Sequence, residues 1–121
     1  MSTLVTAVFS ILLSVAAQFS LKAGMSSDAV RLALAQPLSL RTAVAVFSNG
    51  HVLGGFVLYG MGAIVWLGVL SKWEVSKAYP LVGLGFVFTV LVGFMLNEQI
   101  GLLRLAGVCF ICAGVFMVGK S

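Results

Sequence analysis

Long apolar runs separated by short polar clusters set the pattern of this chain. The runs cover residues 3–23, 52–71, 78–96 and 101–119. Each is close to the roughly 20 residues with which an α-helix crosses a bilayer core of about 30 Å. Strands of a membrane barrel would alternate apolar and polar positions, and these runs do not. Lipid leaves helices and closed barrels as the only spanning backbones, because every peptide group must find its partner internally. The pattern therefore predicts an all-α membrane protein of four transmembrane helices, folded as one bundle and a single domain over 1–121. No basic stretch precedes the first run, and no small-x-small site follows a short apolar core. The first run is thus expected to stay as a helix rather than to act as a cleaved signal.

The connections differ in character. Those at 72–77 and 97–100 are tight. The one from Gly24 to His51 is long and too apolar for a free loop. Ser27 or Asp28 suits the start of a short helix over 29–36, which Pro37 would end. Ser39 suits the start of a second over 40–47, stopped at Asn49-Gly50. Leu40, Ala43, Val44 and Phe47 recur there at helical spacing while Arg41 falls elsewhere. An interfacial helix, or a downward extension of the second span, has this pattern.

Composition agrees with the pattern: 61% of the 121 residues are hydrophobic, 8% are charged, and mean hydropathy is +1.19. A soluble domain of this size has no interior large enough for so much apolar surface. The seven bases and three acids give a net charge of +4. The bases are scattered singly at helix ends, the ordinary arrangement in a membrane protein, so no nucleic-acid partner is expected. Lys22, Arg31, Arg41 and Arg104 fall on one side, and Lys72, Lys77 and Lys120 on the other. Four against three orients the chain weakly, so either a partner fixes its topology or both orientations occur. Cys109 and Cys112 lie inside the fourth run, where neutral thiols act as small apolar residues. No cofactor and no metal are expected. No nucleophile–base pair or phosphate loop is present, and three acids with one histidine are too few for most catalytic schemes, which argues against an enzyme.

The first helix carries the most chemistry. Thr6, Ser10, Ser14, Gln18 and Lys22 fall at steps of four. With Thr3 they sweep an arc of roughly 160°. Ala7 and Ala17 share the arc, while Val5, Val8, Phe9, Leu12, Val15, Ala16 and Phe19 take the other side. Small and hydroxyl residues mediate helix packing in lipid. Gln18 and Lys22 are costly in hydrocarbon and not needed for packing, which points to a lined cavity. Lys22 is placed either to snorkel to the headgroups or to meet an anionic group. Trp66, Trp73, Glu74, Lys77, Tyr79 and Pro80 crowd the second connection, as an interfacial aromatic belt would, or as part of a site. Pro80 is expected to kink the third span ahead of Gly83 and Gly85. Glu98 precedes the fourth helix as a cap, a partner of its dipole, or a polar site. Gly107 and Gly114, seven apart on one face, would let another backbone approach as a dimer interface.

In order, the segments SVAAQFSLK (14–22), VSKAYPL (75–81), NEQ (97–99) and GVCFICAGV (107–115) resemble the small multidrug resistance proteins of the drug/metabolite transporter superfamily. The likeness leaves out only the connection 24–49. That family's drug exporters carry a membrane-buried Glu in the first helix, where this chain has Ser14. They also carry a Trp three positions after the Ala-Tyr tyrosine, where this chain has Val82. Both departures speak against proton-coupled export of cations. The first-helix and Ala-Tyr-Pro-Leu patterns are instead similar to the subunits that flip undecaprenyl-phosphate-linked sugars such as aminoarabinose across the bacterial inner membrane. The resemblance implies paired four-helix subunits, homodimeric or with a paralogue. It implies a lipid-linked sugar phosphate as substrate, with Ser14, Gln18, Lys22, Trp66, Lys77 and Tyr79 as candidate contacts. The alternatives are a small-cation or metabolite exporter of the multidrug type, and a non-transporting assembly subunit.

Overall fold

A computed structural model describes residues 2–121. Side-chain caps open most of the helices. α1 (Thr3–Met25) starts at Ser2, whose hydroxyl accepts the Val5 N–H. α2 (Asp28–Leu34) starts at Ser27, which accepts from Val30. Ser39 and Thr42 form a reciprocal capping box at α3 (Leu40–Phe47). Asn49 accepts from His51 and Val52 at the head of α4 (Gly50–Leu70). Each cap satisfies backbone donors that have no partner inside the helix.

The third span is not one regular helix. α5 (Val75–Ala78) passes into a 3-10 turn over Tyr79–Gly83, and α6 (Leu84–Met95) follows. Pro80 has no N–H to give to the carbonyl four residues back, so the expected kink takes the form of this tighter turn. α7 (Leu102–Lys120) completes the chain. Four segments are long and apolar enough to cross a membrane: α1, α4, the α5–α6 unit from Val75 to Met95, and α7. With no strand among the described residues, the architecture is the expected candidate four-span bundle, with the short helices α2 and α3 between α1 and α4.

The expected limits shift slightly. α4 begins at Gly50 because Asn49 caps it, and α2 ends at Leu34, before Pro37. α6 ends in a turn that sets the sharp reversal into α7. Asn97 adopts φ 64°, Glu98 N–H bonds the Gly93 carbonyl at 2.9 Å, and Asn97 N–H bonds that of Phe94 at 3.1 Å. This is a Schellman ending, with Asn in the left-handed position that glycine usually takes.

α1 and α4 form the most extensive packed pair. Their seam is made of small residues. A Cβ added at Gly62 would stand 3.3 Å from the Ser10 carbonyl oxygen, and Ser10 Oγ donates to the Gly62 carbonyl at 2.7 Å. Such close backbone approach is how helices associate in lipid, where burial of apolar surface gives no advantage. A small core of Ala7, Val69, Ala78, Leu81 and Val115 joins α1, α4, the third span and α7. Val15, which its angle puts on the apolar side opposite the polar arc, is buried, because α6 closes over that edge of α1. Val5, Phe9 and Leu12 face outward, as the apolar side of that helix should. α7 buries only Val115 and is the least covered span.

α2 and α3 are fastened to the end of the bundle. Val30 and Val52 are fully buried, Asn49 Nδ2 donates to Ser27 Oγ at 3.2 Å, and Ser27 Oγ donates to the Gly24 carbonyl at 2.8 Å. The apolar stripe of α3 is not packed inward. Leu40 and Val44 are exposed, and Phe47, also exposed, stacks on Phe56 of α4 at 5.7 Å between ring centres.

Candidate functional site

A cleft of about 560 Å³ opens between α1, α4 and the third span. It lies within the usual size range of small-molecule sites. α1 contributes Ser10, Ser14 and Gln18, with Ile11 and Val15 between them. From Ser10 to Gln18 is eight residues, or ~12 Å along the helix axis. α4 contributes Tyr59, Gly62, Ala63 and Trp66; Val82, Gly85, Phe86 and Thr89 close the far wall. No charged side chain is among these lining residues.

The hydrogen bonds give the cleft a definite polarity. Ser10 Oγ donates to the Gly62 carbonyl, Ser14 Oγ to the Ser10 carbonyl at 3.2 Å, and Thr89 Oγ1 to the Gly85 carbonyl at 2.7 Å. Each hydroxyl proton is thereby committed to the backbone, and the oxygen keeps its lone pairs. The Gln18 amide N–H donates to the Tyr59 hydroxyl oxygen, which leaves the Tyr59 O–H and the Gln18 carbonyl for a ligand. The walls are therefore rich in acceptors and uncharged. They match a ligand bearing O–H or N–H donors and offer little to a bare anion.

Of the residues singled out in the sequence, Ser14, Gln18 and Trp66 meet in this cleft. Val82, one of the two positions that depart from the drug exporters, lies in the same cleft as Ser14, the other. Lys22 sits in the last turn of α1, exposed, one turn beyond the cleft. Lys77 is elsewhere: its Nζ stands 4.8 Å from the Trp73 ring centre, beside a cavity of about 490 Å³ that Lys120 also lines. Tyr79 is 62% exposed and lines a shallow surface hollow with Pro80. Glu98 makes no cap on α7, whose first turn follows Gly101 without a side-chain bond; it lines a groove with Arg104. A Cβ at Gly107 or Gly114 would meet open space, so none of the described residues covers either position.

Tyr59 and Thr89 escaped the sequence reading, and Arg104 stood out there only as a charge that orients the chain. Tyr59 had a usable signal, because a hydroxyl in the middle of an apolar span is costly unless it has a partner. Thr89 had none, and the place of Arg104 in a groove depends on which helices become neighbours. No group of three or more possible metal ligands occurs among the described residues.

The chain is similar in sequence to several bacterial proteins. It is 40% identical, over 63 residues, to a Pseudomonas savastanoi pv. phaseolicola protein named as a probable 4-amino-4-deoxy-L-arabinose-phosphoundecaprenol flippase subunit ArnE; the match covers 51% of this chain and 55% of the relative. It is 39% identical, over 72 residues, to a Photorhabdus laumondii subsp. laumondii protein named as the probable ArnF subunit of the same flippase, with 57% of each chain covered. A Pseudomonas aeruginosa protein named as a probable ArnE subunit is 40% identical over 63 residues, 51% of this chain and 55% of its own. The chain spans about half the length of the curated relatives it matches. No family model and no solved structure matches it. The chain is thus a distant homologue of flippase subunits, which are transporter components and not enzymes, and its four apolar helices make it a multi-pass membrane protein.

Proposed function

We propose that this chain is a subunit of a lipid flippase of the bacterial inner membrane, and that it moves a polyprenyl-phosphate-linked sugar. The acceptor-rich, uncharged cleft carries this reading. Sugar hydroxyls, or an amino group on the sugar, find acceptors at Ser10, Ser14 and Thr89 and an amide at Gln18. The Trp66 ring offers a face for the sugar's C–H surface. A cleft open at the side lets the headgroup pass while the polyprenyl chain stays in the bilayer. Lys22, one turn beyond Gln18, offers positive charge where a phosphate approaches. The names of the relatives support the substrate class and a paired assembly, with a second copy or a paralogous four-helix chain as partner.

The rival reading is a small-cation exporter. It needs a carboxylate in the cleft, and Ser14 supplies a hydroxyl that does not ionise at physiological pH. The test reconstitutes the protein in liposomes, alone and with a paralogous subunit from the same genome, together with a labelled short-chain polyprenyl-phosphate sugar. Exposure of the label on the far leaflet is then followed. The expected result is movement by the wild type and a loss of about tenfold in Gln18→Ala, the size of one well-placed hydrogen bond to a polar headgroup. No movement under either condition overturns the reading. Resistance to quaternary ammonium compounds in cells making the protein would favour the exporter.

A further inference from the structure

No cation lines the cleft to balance a phosphate, and the donors it offers beside its acceptor oxygens are neutral. A phosphate needs donors, and guanidinium is the side chain whose geometry matches it best. A second hollow, of about 390 Å³, lies between α6 and α7 at the end of the bundle where Lys22 also sits. Phe86 and Thr89 line both hollows, so the two adjoin across one turn of α6. Arg104 and Glu98 line the second, and Val90 and Val108 give it apolar sides.

The charges in this groove are unspent. Arg104 Nη1 donates to the Gln99 carbonyl at 3.0 Å, which orients the guanidinium and leaves its remaining N–H groups. Glu98 makes no cap bond at the N-terminus of α7, and its carboxylate lies beside Gly93. A Cβ added at Gly93 would stand 2.9 Å from Glu98 Oε1. The α6 turn fixes the Glu98 backbone through its 2.9 Å bond to the Gly93 carbonyl.

We propose that the groove between α6 and α7 is a phosphodiester site for a lipid, in which Arg104 binds the phosphate and Glu98 selects for its single charge. This assignment rests on the flippase reading for its connection to transport. A phosphodiester carries one negative charge, which one guanidinium balances. A phosphomonoester is close to dianionic at neutral pH. A carboxylate in the same groove repels that second charge. The site thus favours a lipid whose phosphate is already joined to a headgroup over the bare polyprenyl phosphate left after the headgroup is removed. With the phosphate on Arg104, the attached group lies next to Thr89 and faces the acceptor-rich cleft.

Native mass spectrometry of the purified full chain, released from detergent, tests the assignment. The probes are a short-chain polyprenyl-phosphate sugar, the matching polyprenyl phosphate, and phosphatidylglycerol as an ordinary lipid phosphodiester. Wild type is expected to retain both diesters over the monoester. Arg104→Gln should lower retention of the diesters about tenfold, and Arg104→Lys should recover part of it. Glu98→Gln should raise monoester retention several-fold and leave the diesters within a factor of two. Gly93→Ala, which displaces the Glu98 carboxylate without changing charge, should shift selectivity in the same direction. Circular dichroism at wild-type helicity establishes that each variant is folded. Preference for the sugar lipid over phosphatidylglycerol supports the site with the transported lipid as its source; equal, Arg104-dependent retention supports it with bilayer lipid as the source. Diester binding unchanged in Arg104→Gln overturns the proposal, as does a wild type that prefers the monoester. Failure of flipping with retention intact would count against the transport reading alone.

Discussion

At the scale of single residues, two positions show how backbone constraints decide what a side chain does. Asn97 is the one non-glycine residue with positive φ among the described residues, and it turns the chain from α6 into α7. Asn tolerates the left-handed region because its short amide bonds locally, whereas a β-branched residue there costs roughly 1–2 kcal/mol. Asn97→Val is therefore expected to lower stability by about that amount, and Asn97→Gly to hold or raise it, read as shifts in thermal unfolding in detergent. The reversal also aims Glu98 at Gly93 and places Arg104 in the groove, so Asn97→Val should weaken lipid retention without removing a charge. Gly62 is the second position. Its backbone meets α1 so closely that even a methyl would press on the Ser10 carbonyl oxygen. The same approach brings Ser10 and Tyr59 to opposite walls of one cleft.

At the scale of elements, the break at Pro80 and the hairpin of short helices matter most. Pro80 and the 3-10 turn after it set where Val82, Gly85 and Phe86 stand against α1. In Pro80→Ala the missing hydrogen bond can form, so the third span should straighten. We expect unchanged or slightly higher helicity together with slower headgroup movement; an unaltered rate would mean that the turn does not shape the path. α3 turns Leu40, Val44 and Phe47 outward, with Arg31 and Arg41 also exposed on the same hairpin. Apolar residues beside bases suit a helix lying in the headgroup region. Tryptophan at Leu40 should therefore be quenched by lipids brominated near the top of the acyl chain and much less by a water-soluble quencher. The reverse ranking would place α3 in water.

At the scale of the whole molecule, the uneven covering of the helices is the main feature. α1 buries six residues and α7 buries one. Phe110, Phe116 and Met117 of α7 are all more than 60% exposed, and Gly114 meets open space. We expect association with a second four-helix chain through α7. Gly107 is the poorer probe, since it lines the groove with Arg104. Gly114→Leu is the cleaner one and should reduce cross-linking in lipid several-fold without changing lipid retention. An equal dimer yield would move the interface to another helix.

Local chemistry alone determined much of this protein. The four spans, the caps at Ser27 and Ser39, the break at Pro80 and the polar stripe of α1 follow from hydropathy, short-range hydrogen bonding and helical period. All of these act within a few residues of sequence, so they are visible without the fold. The cleft is only partly visible in the same way. The stripe gives Ser14 and Gln18, and an aromatic cluster gives Trp66, but neither separates Gln18, which lines the cleft, from Lys22, which is outside it. Lys77 and Tyr79 looked equally suitable and belong to other surfaces. Tyr59 meets Gln18 across 41 positions, and Thr89 separates the cleft from a groove that Arg104 charges. In lipid, burial of apolar surface does not choose which helix faces pair. Close contact between small residues does, and that choice is made only in three dimensions.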